Sequence, residues 1–295
     1  MDAVSVIIPT YNCAERLVRA LDSVDAQTYP HDRIEVVVVD DGSTDDTRER
    51  VGAFAARSDV TFRYLRQQNA GPAAARNHGM RVARGKVIAF LDDDDAWKPT
   101  KLARQLPLLA GKTGLVACEH EKVNGSGLPI PRVQPRPLAR GNAQLAFFMD
   151  FFLLTSAVCI LRACIDRVGY FDEQMYVGED NEFFLRLATQ YDFDYAPDVL
   201  LVRTIRDDSV SHQDETCNAR TCIATLERYL AAHPDFAAAN RSAVRQRLAD
   251  RRQLLAYCLT RSGHRREALQ QLGKSLLSRP SLKAMKSCVR AALPL

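Results

Sequence analysis

The sequence predicts an α/β protein with an open, mostly parallel sheet that is flanked by helices and followed by a helical C-terminal extension. Three observations support this fold class. The first hundred residues alternate short aliphatic runs with segments of helical periodicity. Two of the aliphatic runs are too uniformly apolar to be half exposed, which is typical of buried parallel strands. From about residue 215 to the end, the periodicity is helical.

Four strands and three helices are predicted in the first hundred residues. The strands come from the runs VSVIIP, IEVVVVDD, TFRYL and KVIAFLDD, at 4–9, 34–41, 61–65 and 86–93. The helices between them are expected at 14–26, 44–57 and 72–84, and the last opens with Pro72 and ends before Gly85. Ligands bind beyond the carboxyl ends of the strands in such sheets, so the loops PTYN, DDGS and DDDD should meet in one crevice.

The later part of the chain predicts a long loop, a buried segment and a second domain. The stretch 124–142 is rich in Pro, Gly and Arg and is expected to be a loop. The apolar run 145–161 contains Asp150, Thr155 and Ser156, so we expect a buried helix and a strand rather than a membrane span. We therefore expect an α/β domain at 1–215 and a helical, basic extension at 216–295.

Charge is divided unevenly between these two regions. Residues 216–295 carry 15 Lys and Arg against 4 Asp and Glu, which leaves −7 for the first 215 residues of a chain whose net charge is +4. The basic region either contacts anionic lipid head groups or forms a solvated helical face. Its arginines alternate with core leucines and no aromatic platform accompanies them, so we do not expect nucleic acid as a partner.

The N-terminal residues and the cysteines indicate the compartment. The first residues lack the basic and apolar regions of a secretion signal. The eight cysteines are scattered without a CxxC pair, so we expect reduced thiols rather than disulfides or a zinc site. The expected location is the cytoplasm, with peripheral contact at the inner face of the membrane if the basic region binds lipid.

Three acidic clusters follow predicted strands or precede a predicted helix: Asp40-Asp41, Asp92 to Asp95, and the GED segment at 178–180. Two like charges 4 Å apart repel by about 4 kcal/mol at an effective dielectric constant near 20, so folding alone does not favour four aspartates in a row. An Asp-x-Asp pair can bind a hard divalent cation that keeps positions for water and substrate phosphate. The alternative is that these acids cap helices, most plausibly Asp95.

Other phosphate-binding patterns fit poorly. The PTYN loop lacks GxGxxG, and GKT at 111–113 lacks the upstream glycine and the preceding strand of a P-loop. A receiver-like domain would need an acidic residue after the first strand, where Pro9 and Thr10 stand. A sugar-nucleotide pyrophosphorylase would need a Gly-rich, basic loop there, and PTYNCAER has no glycine.

In order and spacing, five segments resemble the motifs of the family 2 glycosyltransferases, which have the GT-A fold: VSVIIPTYN, VVVVDDGSTDDT, NAGPAAARNHG, IAFLDDDDAW and GYFDEQMYVGEDNEFFLRLA. The resemblance covers residues 4–211. It implies an inverting transfer of a sugar from a nucleotide-diphosphate donor, expected to be a UDP- or dTDP-sugar, aided by Mg2+ or Mn2+. It further implies a carbohydrate or lipid-linked acceptor and a role in surface polysaccharide or glycoconjugate synthesis.

The resemblance also implies roles for individual residues. Asp94 is expected to contact the metal with Asp92, and Asp93 to lie close to the sugar or ribose. Arg76 either contacts donor phosphate or sugar, or is a solvated helix-surface side chain. The base and ribose of the donor would be held by Pro9, Thr10, Tyr11 and Asp41.

The GED segment matches the position of the family's catalytic base. Inversion needs a carboxylate opposite the leaving diphosphate to take the proton from the attacking hydroxyl, and Asp180 is the candidate. Glu179 would then point elsewhere, toward the acceptor. Alternatively, both acids merely begin the next helix, where negative charge is favourable.

Three further residues are weaker candidates. Many relatives have a histidine before an SVS-like segment, whereas this chain has Arg206 there, which could bind diphosphate, with His212 just downstream. Trp97 would lie near the acceptor or, by default, pack in the core.

The alternative to an enzyme is a non-catalytic relative that binds a nucleotide-sugar or a partner as a scaffold.

Overall fold

The computed structural model describes residues 2–131, 139–205 and 215–280. The described residues form two compact units. The first contains those up to 205 except Phe148–Asp150, and the second contains Phe148–Asp150 with those from 215 onward. The sequence did not predict that Phe148–Asp150 would group with the helical extension.

Nine strands of the first unit form one sheet within the described residues, in the order β3-β2-β1-β4-β8-β6-β9-β5, with β7 paired to β6. Pairing is parallel among β1, β2, β3 and β4 and between β6 and β9, and antiparallel elsewhere. The strands are β1 (Val4–Thr10), β2 (Ile34–Asp40), β3 (Thr61–Arg66), β4 (Val87–Phe90), β5 (Ala96–Trp97), β6 (Thr113–Asn124), β7 (Pro129–Ile130), β8 (Cys159–Leu161) and β9 (Asp192–Ile205).

The helices connect these strands and form the second unit. The first three helices begin and end within three residues of the predicted bounds. The described helices are α1 (Ala14–Asp25), α2 (Thr47–Ala55), α3 (Gly71–Val82), α4 (Lys101–Gln105), α5 (Gln144–Met149), α6 (Arg162–Val168), α7 (Glu179–Gln190), α8 (Glu215–Ala232), α9 (Pro234–Ala239), α10 (Arg241–Arg261) and α11 (Arg265–Ser278). The predicted α/β class with C-terminal helices is confirmed.

Burial of the central strands explains their composition. Every residue of β1 and of β4 is buried, as expected for parallel strands covered on both faces. Helix α3 lies very close to β1, because a Cβ atom on Gly79 would come within 2.5 Å of Ile7 Cγ2. Only glycine allows this close approach of α3 to β1.

The fourth strand is shorter than predicted. It ends at Phe90, and the amide of Leu91 donates to the carbonyl of Ile7 at 3.1 Å. The chain then turns, with the amide of Asp95 donating to the carbonyl of Asp92 at 3.1 Å. The prediction that the strand extends to residue 93 was wrong, because the apolar run ends where this turn begins.

The second unit is a helical unit with its own core. Apolar side chains from α8, α10 and α11 pack together, namely Ala219, Ile223, Leu255, Ala256, Leu259, Ala268 and Leu272. Arg220 on α8 forms an ion pair with Glu267 on α11 through both of its terminal nitrogens. In the part of the chain that the structure describes, no helix combines the length and apolar composition needed to cross a bilayer.

Candidate active site

The three loops predicted to converge do meet at the carboxyl edge of the sheet. The amide of Asp41 donates to the carbonyl of Thr10 at 2.8 Å, which joins the loops after β1 and β2. The hydroxyl of Thr10 donates to Asp93 Oδ2 at 2.7 Å, which joins the loops after β1 and β4. The parallel order β2-β1-β4 places these strand ends side by side.

Asp41 is a buried carboxylate with a fixed orientation. It accepts hydrogen bonds from the backbone amides of Ala70 at 2.9 Å and Gly71 at 2.8 Å, and from the side chain of Gln67 at 2.7 Å. Gly71 has φ +88°, a conformation that favours glycine. These donors hold the carboxylate in one orientation, and its oxygens retain lone pairs for a ligand.

The other predicted donor-binding residues of β1 differ in exposure. Tyr11 is 51% exposed at the end of the strand, so its ring is available to a ligand. Thr10 is buried and bound to Asp93. Pro9 is buried within β1 opposite Val39, so its side chain belongs to the sheet interior rather than to a ligand surface.

Asp92 to Asp95 form a tight turn that concentrates negative charge. Burial, together with the charges of Asp94 and Asp92, raises the pKa of Asp93 to about 6, against the opposing effect of the hydrogen bond from Thr10. Burial, followed by the same two charges, raises the pKa of Asp95 to about 8. The turn therefore favours either a bound proton or a bound cation.

Arg76 connects this turn to the segment that contains the predicted base. It lies on α3, is 7% exposed, and donates to Asp92 Oδ1 at 2.8 Å and to Glu179 Oε1 at 2.9 Å. Burial by itself lowers its pKa, but the charges of Asp92 and Glu179 raise it overall, so the guanidinium is charged. The alternative of a solvated surface arginine is wrong, because both terminal nitrogens bind carboxylates inside the protein.

Asp180 lies in the first turn of α7, directly after Gly178 in the left-handed region and the ion-paired Glu179. Its Oδ1 accepts a hydrogen bond from the amide of Asn181 at 2.7 Å. Burial and the charge of Glu179 raise its pKa to about 6, against an opposing effect of Arg76. A carboxylate that titrates near neutrality is suited to general base catalysis. Both acids also begin a helix, so the two predicted roles are compatible.

Glu179 does not point away from the site toward a separate acceptor surface. Its carboxylate is buried against Arg76, which also binds Asp92. The ion pairs therefore place the Asp92 turn and the start of α7 in one cluster of the first unit. The charge of Asp92 is close enough to raise the pKa of Asp180.

The donor set of the turn fits a hard divalent cation in part. Asp92 and Asp94 are separated by one residue in the turn and offer carboxylate oxygens, and their charges contribute, after burial, to the raised pKa values of Asp93 and Asp95. Within the described residues there is no group of three or more His, Cys, Asp or Glu side chains that could hold a metal. A cation bound here would thus rely on water and substrate oxygens for its other ligands. Arg206 and His212 lie outside the described residues.

Trp97 packs in the core. It is 4% exposed, its indole nitrogen donates to the carbonyl of Ser156 at 2.9 Å, and the ammonium group of Lys101 lies 4.1 Å from the centre of its ring. This environment accounts for the residue without an acceptor. None of the seven cysteines that the structure describes is part of a disulfide.

Sequence reasoning missed the residues that hold the aspartate turn from outside. The hydroxyl of Ser156 accepts from the amide of Asp92 at 3.0 Å, and the amide of Thr204 donates to Asp95 Oδ1 at 3.1 Å. Arg19 donates to the carbonyl of Asp94 at 2.8 Å. No local pattern marks these residues, because each contacts the turn from a distant part of the chain.

Comparison with known sequences identifies relatives along the same region. The model of the family "Glycosyl transferase family 2" matches residues 5–167. An uncharacterized glycosyltransferase of Rickettsia prowazekii is 30% identical over 235 residues, which are 77% of this chain and 69% of that protein. One from Nostoc is 48% identical over 101 residues, which are 34% of this chain and 31% of that protein. The putative teichuronic acid biosynthesis glycosyltransferase TuaG of Bacillus subtilis is 39% identical over 106 residues, 36% of this chain and 41% of that protein.

Solved structures support the fold. Mannosyltransferase PcManGT from Pyrobaculum calidifontis, in complex with GDP-Man and Mn2+, matches with a TM-score of 0.68 at 23% identity over 99% of this chain and 79% of that one. TarS 1–349 of S. aureus, in complex with UDP-GlcNAc, matches with a TM-score of 0.67 at 20% identity over 98% and 92%. Several relatives are much longer than the matched region, since the chain spans 31% of the Nostoc protein and 21% of one from Rickettsia felis. The family model covers more than half of the chain, so the chain belongs to glycosyl transferase family 2.

Proposed function

We propose that this protein transfers a sugar from a nucleoside-diphosphate donor to an acceptor hydroxyl with inversion at the anomeric carbon. One observation carries the proposal. Arg76 binds Asp92 and Glu179 at once, so the aspartate turn and the candidate base Asp180 belong to one cluster at the carboxyl edge of the sheet. Inverting transfer needs a diphosphate site and a base within reach of the same sugar.

The donor would lie along the loops after β1 and β2. Asp41, held by three hydrogen-bond donors, would accept a hydrogen bond from the base, and the exposed ring of Tyr11 would lie beside it. Thr10 holds Asp93, which would face the ribose or sugar. We propose a UDP- or dTDP-sugar, and the GDP-Man complex of PcManGT makes a guanosine donor the first alternative to test.

Asp92 and Asp94 would hold Mg2+ or Mn2+ beside the donor diphosphate. Such a cation, when bound, supplies electrostatic stabilisation of the negative charge that grows on the leaving diphosphate. Arg76 compensates the charge of Asp92 and so stabilises the turn. It would therefore affect donor binding indirectly, through Asp92, in addition to any direct contact with the donor.

Asp180 would take the proton from the acceptor hydroxyl as the new bond forms. With a pKa of about 6, the carboxylate is ionised at pH 7 and remains basic enough to accept a proton. Arg76 forms an ion pair with the adjacent Glu179 and limits the rise in the pKa of Asp180. The protein thus keeps two adjacent acids in different roles, one paired and one available.

The acceptor and the cellular setting are proposed from charge and relatives. The name of TuaG links one relative to teichuronic acid synthesis. We propose that this chain acts in surface polysaccharide or glycoconjugate synthesis on a carbohydrate or lipid-linked acceptor. It would work in the cytoplasm at the inner face of the membrane, with the basic region 216–295 near anionic lipid.

A thermal-shift panel tests the function. The protein is melted with UDP-glucose, UDP-GlcNAc, a dTDP-sugar or GDP-mannose, each with and without Mn2+. A donor present at 100 times its dissociation constant should stabilise the folded state by about 2.7 kcal/mol. We expect one donor class to raise the melting temperature in the presence of Mn2+ only, and Asp94→Asn to remove that dependence.

Release of nucleoside diphosphate from the best donor, followed by NMR of the anomeric configuration of the product, then tests transfer and inversion. Stabilisation by a donor with no turnover on any acceptor or water would favour the scaffold alternative. Absence of stabilisation by every donor would contradict the proposed function.

A further inference from the structure

Arg19 is a side chain on α1 that, like Arg76, binds the aspartate turn. One of its terminal nitrogens, Nη2, donates to the carbonyl oxygen of Asp94 at 2.8 Å and to the hydroxyl oxygen of Thr204 at 2.6 Å. The three residues come from separate elements: α1, the loop after β4, and β9 near its end. The exposed arginine is therefore fixed in one orientation by two acceptors that are 110 residues apart in the chain.

Thr204 contacts the same turn a second time. Its backbone amide donates to Asp95 Oδ1 at 3.1 Å, while its hydroxyl accepts from Arg19. The pairing of β5 with β9 places the two segments in register, because Ala96 is opposite Val202 and Trp97 is opposite Leu201. Thr204 is thus a fixed point on the sheet to which both Asp94 and Asp95 are connected.

The bond from Arg19 goes to the backbone of Asp94. The carbonyl of Asp94 belongs to the peptide group that joins Asp94 to Asp95. A hydrogen bond to this carbonyl therefore fixes the orientation of that peptide group. Other anchors act at the remaining residues of the turn: Ser156 binds the amide of Asp92, Thr10 binds the carboxylate of Asp93, and Thr204 binds the carboxylate of Asp95. Arg19 therefore controls the part of the turn that carries the Asp94 side chain.

We propose that Arg19 and Thr204 act together as positioning residues that orient Asp94 toward the divalent cation. The inference rests on the proposed function in that it assigns the metal to Asp92 and Asp94. Partners that orient a metal ligand from outside typically change metal affinity by 10- to 100-fold when removed. Because Arg19 acts on a backbone carbonyl of the turn, we expect the lower end of that range.

The test measures binding of Mn2+ alone, by the loss of the free-ion EPR signal in titrations of the full chain. Arg19→Met keeps the aliphatic stem and removes the donors. Thr204→Val keeps the shape and the backbone amide that binds Asp95, and removes only the hydroxyl. Arg57→Met is the control, since Arg57 is an exposed arginine paired with Asp22 away from the turn.

We expect the dissociation constant for Mn2+ to rise about tenfold in Arg19→Met and less in Thr204→Val, with no change in Arg57→Met. The double variant should bind Mn2+ no more weakly than Arg19→Met, because both substitutions break the same connection and their effects are not additive. Melting temperatures identify a variant that fails to fold, in which case Thr204→Val, the more conservative change, decides the result.

Equal Mn2+ affinity in the wild type and in both variants would overturn the inference, as would a double variant whose losses are additive. A wild-type protein that binds no Mn2+ would overturn it as well, because the connection would then have no metal ligand to orient. Failure of the wild type to bind Mn2+ would not contradict the proposed function if sugar transfer proceeds without added metal. Loss of transfer in a protein that binds Mn2+ normally would contradict the function and leave the inference intact.

Discussion

Replacing Asp180 by Asn should abolish sugar transfer and at the same time make the protein more stable at pH 7. Asp180 is ionised at that pH, although burial and the neighbouring Glu179 disfavour its charge. The Asn side chain has nearly the same shape and can still accept the hydrogen bond that the amide of Asn181 donates at 2.7 Å. The substitution therefore removes a charge that the fold tolerates only at a cost in stability.

The size of the effect follows from the pKa. The pKa of Asp180 is about 6, compared with 3.8 for an ordinary aspartate. At 1.36 kcal/mol per pKa unit, the charged form is disfavoured in the folded state by at most about 3 kcal/mol at pH 7. Asp180 keeps part of its surface exposed, so water reduces this free-energy penalty. We therefore expect Asp180→Asn to raise the free energy of unfolding at pH 7 by about 1 to 2 kcal/mol.

The pH dependence has a definite sign. A group whose folded pKa lies above its unfolded pKa binds more protons in the folded state, so stability is lost as pH rises between the two values. The stability gained by Asp180→Asn should therefore be constant above about pH 7, shrink from pH 6 toward pH 4, and vanish where both states are protonated.

Urea denaturation of the wild type and the variant at several pH values measures the free energy of unfolding, and product formation from the best donor measures transfer. A variant that is less stable than the wild type at pH 7, or a difference that does not change between pH 7 and pH 4, would refute the assignment of a disfavoured charge. Transfer that survives unchanged would remove Asp180 as the base.

Three further predictions use the same denaturation and binding assays. Arg76→Gln should lower the free energy of unfolding by about 3 kcal/mol, since it leaves the buried carboxylate of Glu179 and the partly exposed carboxylate of Asp92 without their cation. The exposed Arg57→Gln should cost less than about 1 kcal/mol, and similar losses in the two variants would contradict the network around Arg76. Gly79→Ala should lower the free energy of unfolding by about 1 to 3 kcal/mol, because the new Cβ would lie 2.5 Å from a side chain of β1. Gly52→Ala, at an open position on α2, should raise it by about 0.5 to 1 kcal/mol. An equal response at both sites would argue against the close packing of α3. Asp94→Asn should weaken Mn2+ binding at least about tenfold without lowering the melting temperature, and unchanged binding would move the metal away from this residue.

Much of the fold followed from local patterns in the sequence. Two of the aliphatic runs predicted buried parallel strands, because a strand that is almost uniformly apolar must be covered on both faces. The strand-end loops then predicted a site at the carboxyl edge. The end of β4 was predicted three residues late, since hydrophobic periodicity does not show where a turn of aspartates begins.

The residues of the candidate site were predicted less completely than their location. The clusters around Asp41, Asp92 and Asp180 were recognised because acidic residues after apolar strands are unusual and because they match family motifs. The buried role of Arg76 was left open, since an arginine in a helix has the same sequence signature whether it faces solvent or carboxylates. Arg19 was not predicted at all, because nothing near it in the sequence indicates a partner on β9.

The sequence by itself thus determined the order of the strands and helices in the first hundred residues, the family and the acidic character of the crevice, all of which depend on short-range periodicity and on motifs. Only the tertiary structure decided how that acidity is compensated, with Arg76 joining Asp92 to Glu179 and Arg19 joining Asp94 to Thr204. The physical reason is that charge compensation depends on distances between groups far apart in the chain. Those distances are set by the packing of helices on the sheet, which no local stretch of residues encodes.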